Sequence, residues 1–330
     1  MGVFLSILVP VHNVAPYLAD FLDSYQDGFE ATVEMIFWDD ASTDHSLAVI
    51  QQWSKGNIKS DIKFFQHKTN QGITKTRQNL LEQAQGEYVW YVDPDDMLNN
   101  NAISIVCQTL SRHQPDVLLF DYQIFDDETR IIKKQEKLIF QSSDIKKINK
   151  NNALYRLAIQ DNKHYFWNKV FKRTVVENVD VQAMPVYEDV GYVPTWLFYC
   201  HDYFYLNRAL LTYRLRSGSL SHRKDSTQIY AVYAYLEQAA FCLKHIGEGK
   251  TYFYLLYKAY THYYRLQRSA RADSNELNDA SMFPSLKDVN IHKLPMSGWC
   301  LVGKLLKSGM IDKMLKLFFI LITQAKSSSN

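Results

Sequence analysis

From Phe4 to Phe120 the chain alternates short apolar runs with amphipathic segments of helical period, and this rhythm constrains the fold more than any other feature. Phe4 to Pro10 reads as a strand, and Tyr17, Leu18, Phe21, Leu22 and Tyr25 line one side of a helix after it. Val33 to Trp38 reads as a second strand ending at Asp39-Asp40; Ser42-Thr43-Asp44 offers caps to a helix carrying Leu47, Val49, Ile50 and Trp53. Ile62 to Gln66 is a short third strand. Thr74 to Gln85 is a helix with Gly86 at a C-cap position, and Glu87 to Val92 is a fourth strand running into Asp93-Pro94-Asp95-Asp96. A helix at Ile103–Leu110 and a strand at Val117–Phe120 follow. Strands that alternate with helices imply an α/β fold, with a mostly parallel sheet and helices on both faces.

Beyond about residue 126 the rhythm breaks. Asp126 to Thr129 reads as a turn between strand-like stretches, and Ser143–Ile159 reads as a helix leading into Trp167-Asn168-Lys169-Val170-Phe171-Lys172. Residues 226 to 270 read as long aromatic-rich helices, and Asp273 to Pro295 as a polar linker. The last element, Trp299 to Thr323, sets Leu301, Leu305, Leu306, Met310, Met314, Leu317, Phe318 and Leu321 on one side, with Lys304, Lys307, Lys313 and Lys316 elsewhere. That basic amphipathic pattern suits a helix docked on the protein's own core or an anchor on a membrane surface.

Composition removes several function classes. Net charge is +2, so nothing global points to nucleic acid. Cys107, Cys200, Cys242 and Cys300 form no CxxC pair, which argues against a zinc site or a disulfide framework and suits a reducing, cytoplasmic compartment. The opening apolar run lacks the charge and cleavage pattern of a signal peptide. Met1 to Ser6 matches a myristoylation pattern, but the first strand needs the same residues. No apolar stretch reaches membrane-spanning length. The 22 Tyr and 18 Phe suit sugar faces, although such residues more often fill cores.

Ligands of open α/β sheets bind beyond the carboxyl ends of strands, and that is where this chain concentrates its acids. Asp93-x-Asp95-Asp96 offers hard oxygens for Mg²⁺ or Mn²⁺ shared with phosphate; the plain alternative is acids placed for a helix dipole. Asp39 to Asp44 is either a capped turn or a carboxylate that accepts a hydrogen bond from a uracil imide. Arg77, beyond the Asn70-Gln71-Gly72-Ile73 loop, is either a solvated helix charge or a cation near a diphosphate. Glu188-Asp189 either opens a helix or supplies a general base for an acceptor hydroxyl.

Taken in order, Ile7 to Asn13, Asp39 to Asp44, Asn70 to Ile73 with Arg77 and Asn79, and Gly86 to Asp96 resemble the glycosyltransferase family 2 signature. The resemblance is strong over residues 4 to about 122. It continues loosely through Trp167 to Phe171, Glu188-Asp189 and Tyr213-Arg214-x-Arg216-x-Gly218-Ser219. It implies a GT-A, Rossmann-like fold, a catalytic domain over 1–225 with a nucleotide-sugar half to 125 and an acceptor half from 126. No specific match extends beyond about 225, where the sequence pattern itself reads as a helical region over 226–330 with the basic amphipathic helix last. The resemblance further implies an inverting, metal-dependent hexosyl transfer from a nucleotide-diphosphate sugar, commonly a UDP-sugar, to a glycan or lipid-linked hydroxyl. The pathway implied is capsule or lipopolysaccharide synthesis, at the inner face of the cytoplasmic membrane. Residue by residue, Pro10, Val11 and Asn13 would frame the nucleotide pocket, Asp40 would face the base and Arg77 would lie near the donor. Asp95 would meet ribose or metal, Asp96 would be the main ligand of Mn²⁺ or Mg²⁺, and Asp189 would be the catalytic base. Ala41 stands where Gly is usual, Pro94 where Ser is frequent and His12 where Tyr is common; His222 is a further candidate ligand. Two other readings compete. A sugar nucleotidyltransferase would need a Gly-rich phosphate loop where His12-Asn13-Val14 stands, and a non-catalytic glycan-binding or assembly protein would have no need of the carboxylates. The missing G-x-G-x-x-G excludes a Rossmann dehydrogenase.

Overall fold

The computed structural model describes residues 2–25, 32–56, 61–139, 142–179, 184–216, 229–272, 298–307, 309–310, 312–318 and 321. His222, Gly218, Ser219 and the segment from Asp273 to Pro295 lie outside them. The first half keeps the expected rhythm: β1 (Leu5–Val11), α1 (Ala15–Asp23), β2 (Val33–Asp39), α2 (Ser46–Gly56), β3 (Asp61–Gln66), α3 (Ile73–Gln83) and β4 (Tyr88–Tyr91). Then come β5 (Met97–Leu98), α4 (Ala102–His113), β6 (Val117–Asp126), β7 (Ile131–Glu136), β8 (Ile145–Ile148), α5 (Ala153–Gln160), β9 (Lys169–Lys172), α6 (Arg173–Val176), α7 (Glu188–Tyr199) and β10 (Asp202–Leu215). Helices α8 (Ile229–His245), α9 (Lys250–Ala272) and α10 (Gly298–Lys307) follow.

Among the described residues ten strands form one sheet, with a main order of β3-β2-β1-β4-β9-β6-β10-β5. β3, β2, β1 and β4 are parallel, as the alternation predicts. All seven residues of β1 are buried, because a central parallel strand is covered on both faces. The other half is mixed. β9 enters antiparallel between β4 and β6, and β10 runs parallel to β6 but antiparallel to β5. The last pairing matters most for the site. It sets Thr212 opposite Met97 and so brings the end of β10 alongside the acidic loop before β5.

Three local expectations are corrected. Ser143–Ile159 is not one helix: β8 pairs with β10 in its first part, and Asn151 and Asn152, both left-handed, separate β8 from α5. Sheet pairing wins there over a run whose lysines and isoleucines have no strong helical stripe. Gly86 caps nothing, since α3 ends at Ala84 in extended conformation. A Cβ on Gly86 would meet the Ser6 backbone nitrogen at 2.6 Å, so glycine is required by the approach of this turn to β1. Gly86→Ala is expected to destabilise the fold by about 1–3 kcal/mol through overpacking, read from the urea midpoint; an unchanged midpoint would refute this account. Third, the last helix is interrupted. α10 stops at Lys307, Gly309 adopts φ +76°, and helix resumes over 312–318.

The C-terminal helices share their core with the rest of the chain. Tyr155 and Ile159 of α5 and Val190 of α7 cluster with α8, α9 and Leu301, Leu305, Met310 and Leu317. These last four side chains are buried, so the apolar stripe of the final segment is spent largely on the protein's own core. Among the described residues no helix is long and apolar enough to cross a membrane.

Candidate active site

The tips of β1 and β2 are knitted together by short polar side chains. Asn13, at φ 52°, accepts from the backbone of Thr43 and Asp44 through Oδ1, and its own N–H donates to Ser42 Oγ. Pro10 and Val11 lie in register with Trp38 and Asp39, and Asp40 N–H donates to Val11 O. His12 Nδ1 donates to Asp40 O at 2.9 Å. Ala41 adopts φ 55°, a left-handed conformation costing a non-glycine residue about 1–2 kcal/mol, which accounts for glycine being usual there.

Asp40 is buried, and both its carboxylate oxygens have protein partners. His67 Nδ1 and Gln71 N–H donate to Oδ1 at 2.7 Å each, and Gly72 N–H donates to Oδ2 at 2.8 Å. Asp40 therefore orders the loop that launches α3. His67 is held in turn by Asn79 at 2.7 Å. No sequence signal marked His67, which lies just past the end of a short strand. Beside Asp40, the Oδ1 of Asp39 is buried and has no hydrogen-bond partner.

One turn into α3, Arg77 is buried rather than solvated. Its guanidinium packs 4.4 Å over the Phe166 ring, donates to Asp93 Oδ1 at 2.8 Å and donates to Glu188 Oε1. It thus ties the tip of β4 to the start of α7. Two independent loops meet through one cation, and a bidentate planar group suits that task better than lysine.

The tip of β4 is crowded with acid. Arg216 Nε donates to Asp95 Oδ2 at 2.7 Å, and Arg214 donates through Nε to Asp95 O and through its backbone N–H to Asp96 Oδ1. Asp96 is 1 % exposed, and its Oδ2 is buried without a partner. Burial, with Asp95 and Asp93 adding repulsion, raises the Asp96 carboxyl well above the usual range; burial likewise raises Asp95, against the pull of Arg216. The Tyr25 hydroxyl, also buried and unpartnered, lies in the same field. Among the described residues no three acidic, His or Cys side chains form a complete metal cage. The set nevertheless fits a divalent cation that takes one or two carboxylates here and its remaining oxygens from a diphosphate. The leftover Asp96 Oδ2 is the observation behind that fit.

Across Arg77 stand Glu188 and Asp189 in the first turn of α7, after Tyr187 at φ 63°. Glu188 is spent on Arg77; burial pushes its carboxyl up to about 7 despite that partner. Asp189 is the freer of the two. Its Oδ1 accepts from the next backbone N–H, and its side chain is 30 % exposed. Burial, opposed by Arg77, pushes it up to about 6. Both acids also sit where a helix dipole favours them, but that effect lowers carboxyl pKa values, so burial decides the direction. His164 Nε2 faces Asp189 Oδ2 at 3.6 Å, a neighbour that sequence reasoning missed because it comes from the irregular segment between α5 and β9.

A parallel half-sheet with acids at its strand tips, completed by an antiparallel insertion and a half-buried acid pair opposite, defines a protein of the GT-A class. The chain belongs to glycosyl transferase family 2, whose model matches residues 6–178, more than half of the chain. It is 25% identical over 255 residues to a processive diacylglycerol beta-glycosyltransferase of Mycoplasma pneumoniae, covering 75% of this chain and 74% of that one. It is 24% identical over 250 residues to the glycosyltransferase GlyA of Streptococcus pneumoniae, where the match covers 74% of this chain but only 35% of the relative. Among solved structures, S. aureus TarS 1-349 in complex with UDP-GlcNAc superposes with a TM-score of 0.60 at 21% identity, covering 86% of this chain and 77% of that one. That likeness speaks for the fold.

Proposed function

We propose that this protein is an inverting, metal-dependent glycosyltransferase that moves a hexosyl group from a UDP-sugar to a hydroxyl of a glycan or lipid-linked acceptor, in the synthesis of a bacterial surface polysaccharide such as capsule or lipopolysaccharide. The observation that carries the reading is the pair of acids with oxygens not committed to any cation: Asp96 at the tip of β4 and Asp189 at the start of α7, on either side of Arg77. The UDP-GlcNAc named with TarS supports a nucleotide-sugar donor, and the diacylglycerol transferase supports an acceptor at a membrane. On this reading the protein works in the cytoplasm, at the inner face of the membrane.

Pro10, Val11 and Asn13 frame the nucleotide, Asp40 faces the base through the loop it orders, and Asp95 meets the ribose or the metal. Arg77 lies near the donor and keeps Asp93 and Glu188 in place around it. A divalent cation, Mn²⁺ or Mg²⁺, at Asp96 would offset the charge that grows on the departing diphosphate. Asp189 removes the acceptor proton as its oxygen attacks C1 from the face opposite the diphosphate, in one displacement without a covalent intermediate. A panel of UDP-sugars with Mn²⁺ and mixed glycan and glycolipid acceptors, followed by mass analysis, tests the proposal. A hexose-sized mass gain on an acceptor is expected; binding without turnover of any donor would favour a glycan-binding protein on the same fold.

A further inference from the structure

The segment between α5 and β9 is pinned by a buried lysine. Lys169, fully buried, has Nζ 2.7 Å from both Tyr165 O and Asn168 Oδ1 and donates to each. Just upstream, His164 has Nδ1 3.3 Å from Ala158 O. A carbonyl can only accept, so Nδ1 carries the hydrogen. In the neutral ring Nε2 is then a bare lone pair, and it points at Asp189 Oδ2, 3.6 Å away. Two acceptors facing each other repel unless a proton lies between them. The ring is kept neutral: burial lowers its pKa to about 4, and Lys169 and Lys258 push in the same direction.

We infer that His164 is the proton partner of Asp189, its Nε2 accepting a hydrogen bond from the carboxyl once that group has taken the acceptor's proton. The inference rests on Asp189 being the base of the proposed transfer. The step balances. The acceptor O–H bond breaks as its oxygen bonds to C1, the C1–diphosphate pair leaves with the diphosphate, and the proton ends on Asp189 Oδ2, shared with Nε2. The present 3.6 Å lies outside hydrogen-bonding reach, and catalytic contacts of this kind commonly tighten only in the complex with substrate. His164 acts through Asp189 and is a positioning residue. The other charged or titratable groups in the field of the pair among the described residues include Arg77, Asp93, Glu188, Tyr165, Lys169, Tyr235 and Lys258.

The test uses the full chain with ¹⁵N-labelled histidine, without substrate. The His164 Nε2 resonance is expected to be that of an unprotonated nitrogen at pH 8, to move as the pH falls through about 6, and to lose that step in Asp189→Asn. An Nε2 already protonated at pH 8, or a step that persists in Asp189→Asn, would overturn the inference. In turnover, His164→Phe, which keeps a planar ring without the lone pair, is expected to lower kcat by roughly tenfold at unchanged donor KM; unchanged kcat would equally overturn it. The spectroscopic arm needs no glycosyl transfer, so a failure of the pair and a failure of the proposed function are told apart.

Discussion

Asp189→Asn is expected to bind the donor as the wild type does and to lose turnover by roughly 10²–10⁴-fold, the usual contribution of a general base. The amide cannot take up the acceptor's proton, while Arg77 keeps its hydrogen bonds to Asp93 and Glu188, so the donor side should be undisturbed. The wild-type pH profile carries the same signature. Asp189 works only when ionised, so kcat/KM, which reports the free enzyme, should fall as the pH drops through about 6 and level off above it. The acid limb therefore lies about two units above where an exposed aspartate would place it. Initial rates of Asp189→Asn matching the wild type at saturating donor would remove the base assignment.

Asp96→Asn is expected to cost roughly 10²–10³-fold in kcat/KM and to raise the Mn²⁺ concentration needed for half-maximal rate, since a metal's charge stabilisation is worth several kcal/mol. The same variant should not melt earlier. Asn Oδ1 can still accept from Arg214 N–H, and the substitution removes a buried acid whose ionisation is opposed by Asp95 and Asp93. Activity lost together with several degrees of melting temperature would instead mark Asp96 as structural.

The two predictions draw on residues of very different legibility. Asp96 was readable because it follows β4, an uninterrupted buried run whose carboxyl end could be placed from its pattern. The residues alone offered Glu188-Asp189 as a helix opening or a general base, and only the resemblance to a family motif singled out Asp189, since two acids at the start of a helix are common for reasons of dipole. Arg77 was seen but its partners were not: Asp93 lies 16 positions away and Glu188 111, and helical periodicity carries no information at either range. His164 and His67 gave no signal at all. Each is defined by a facing group on another element, and a histidine in an irregular segment has no pattern to betray that. β8 was misread as helix because its pairing with β10 is settled by a strand more than fifty residues later.

The order of apolar runs and acidic tips determined by itself that the first half would be a parallel α/β sheet with a polar site at its carboxyl edge, because strand burial and strand ends are local properties of a chain. Only the tertiary structure decided which acids are spent and which are left over. The antiparallel entry of β9, the pairing of β10 with β5 and the bridge through Arg77 assign partners to some carboxylates and leave Asp96 and Asp189 each with an oxygen not committed to a cation. Hydrogen bonds between distant segments are geometric facts, and their outcome cannot be read from spacing along the chain.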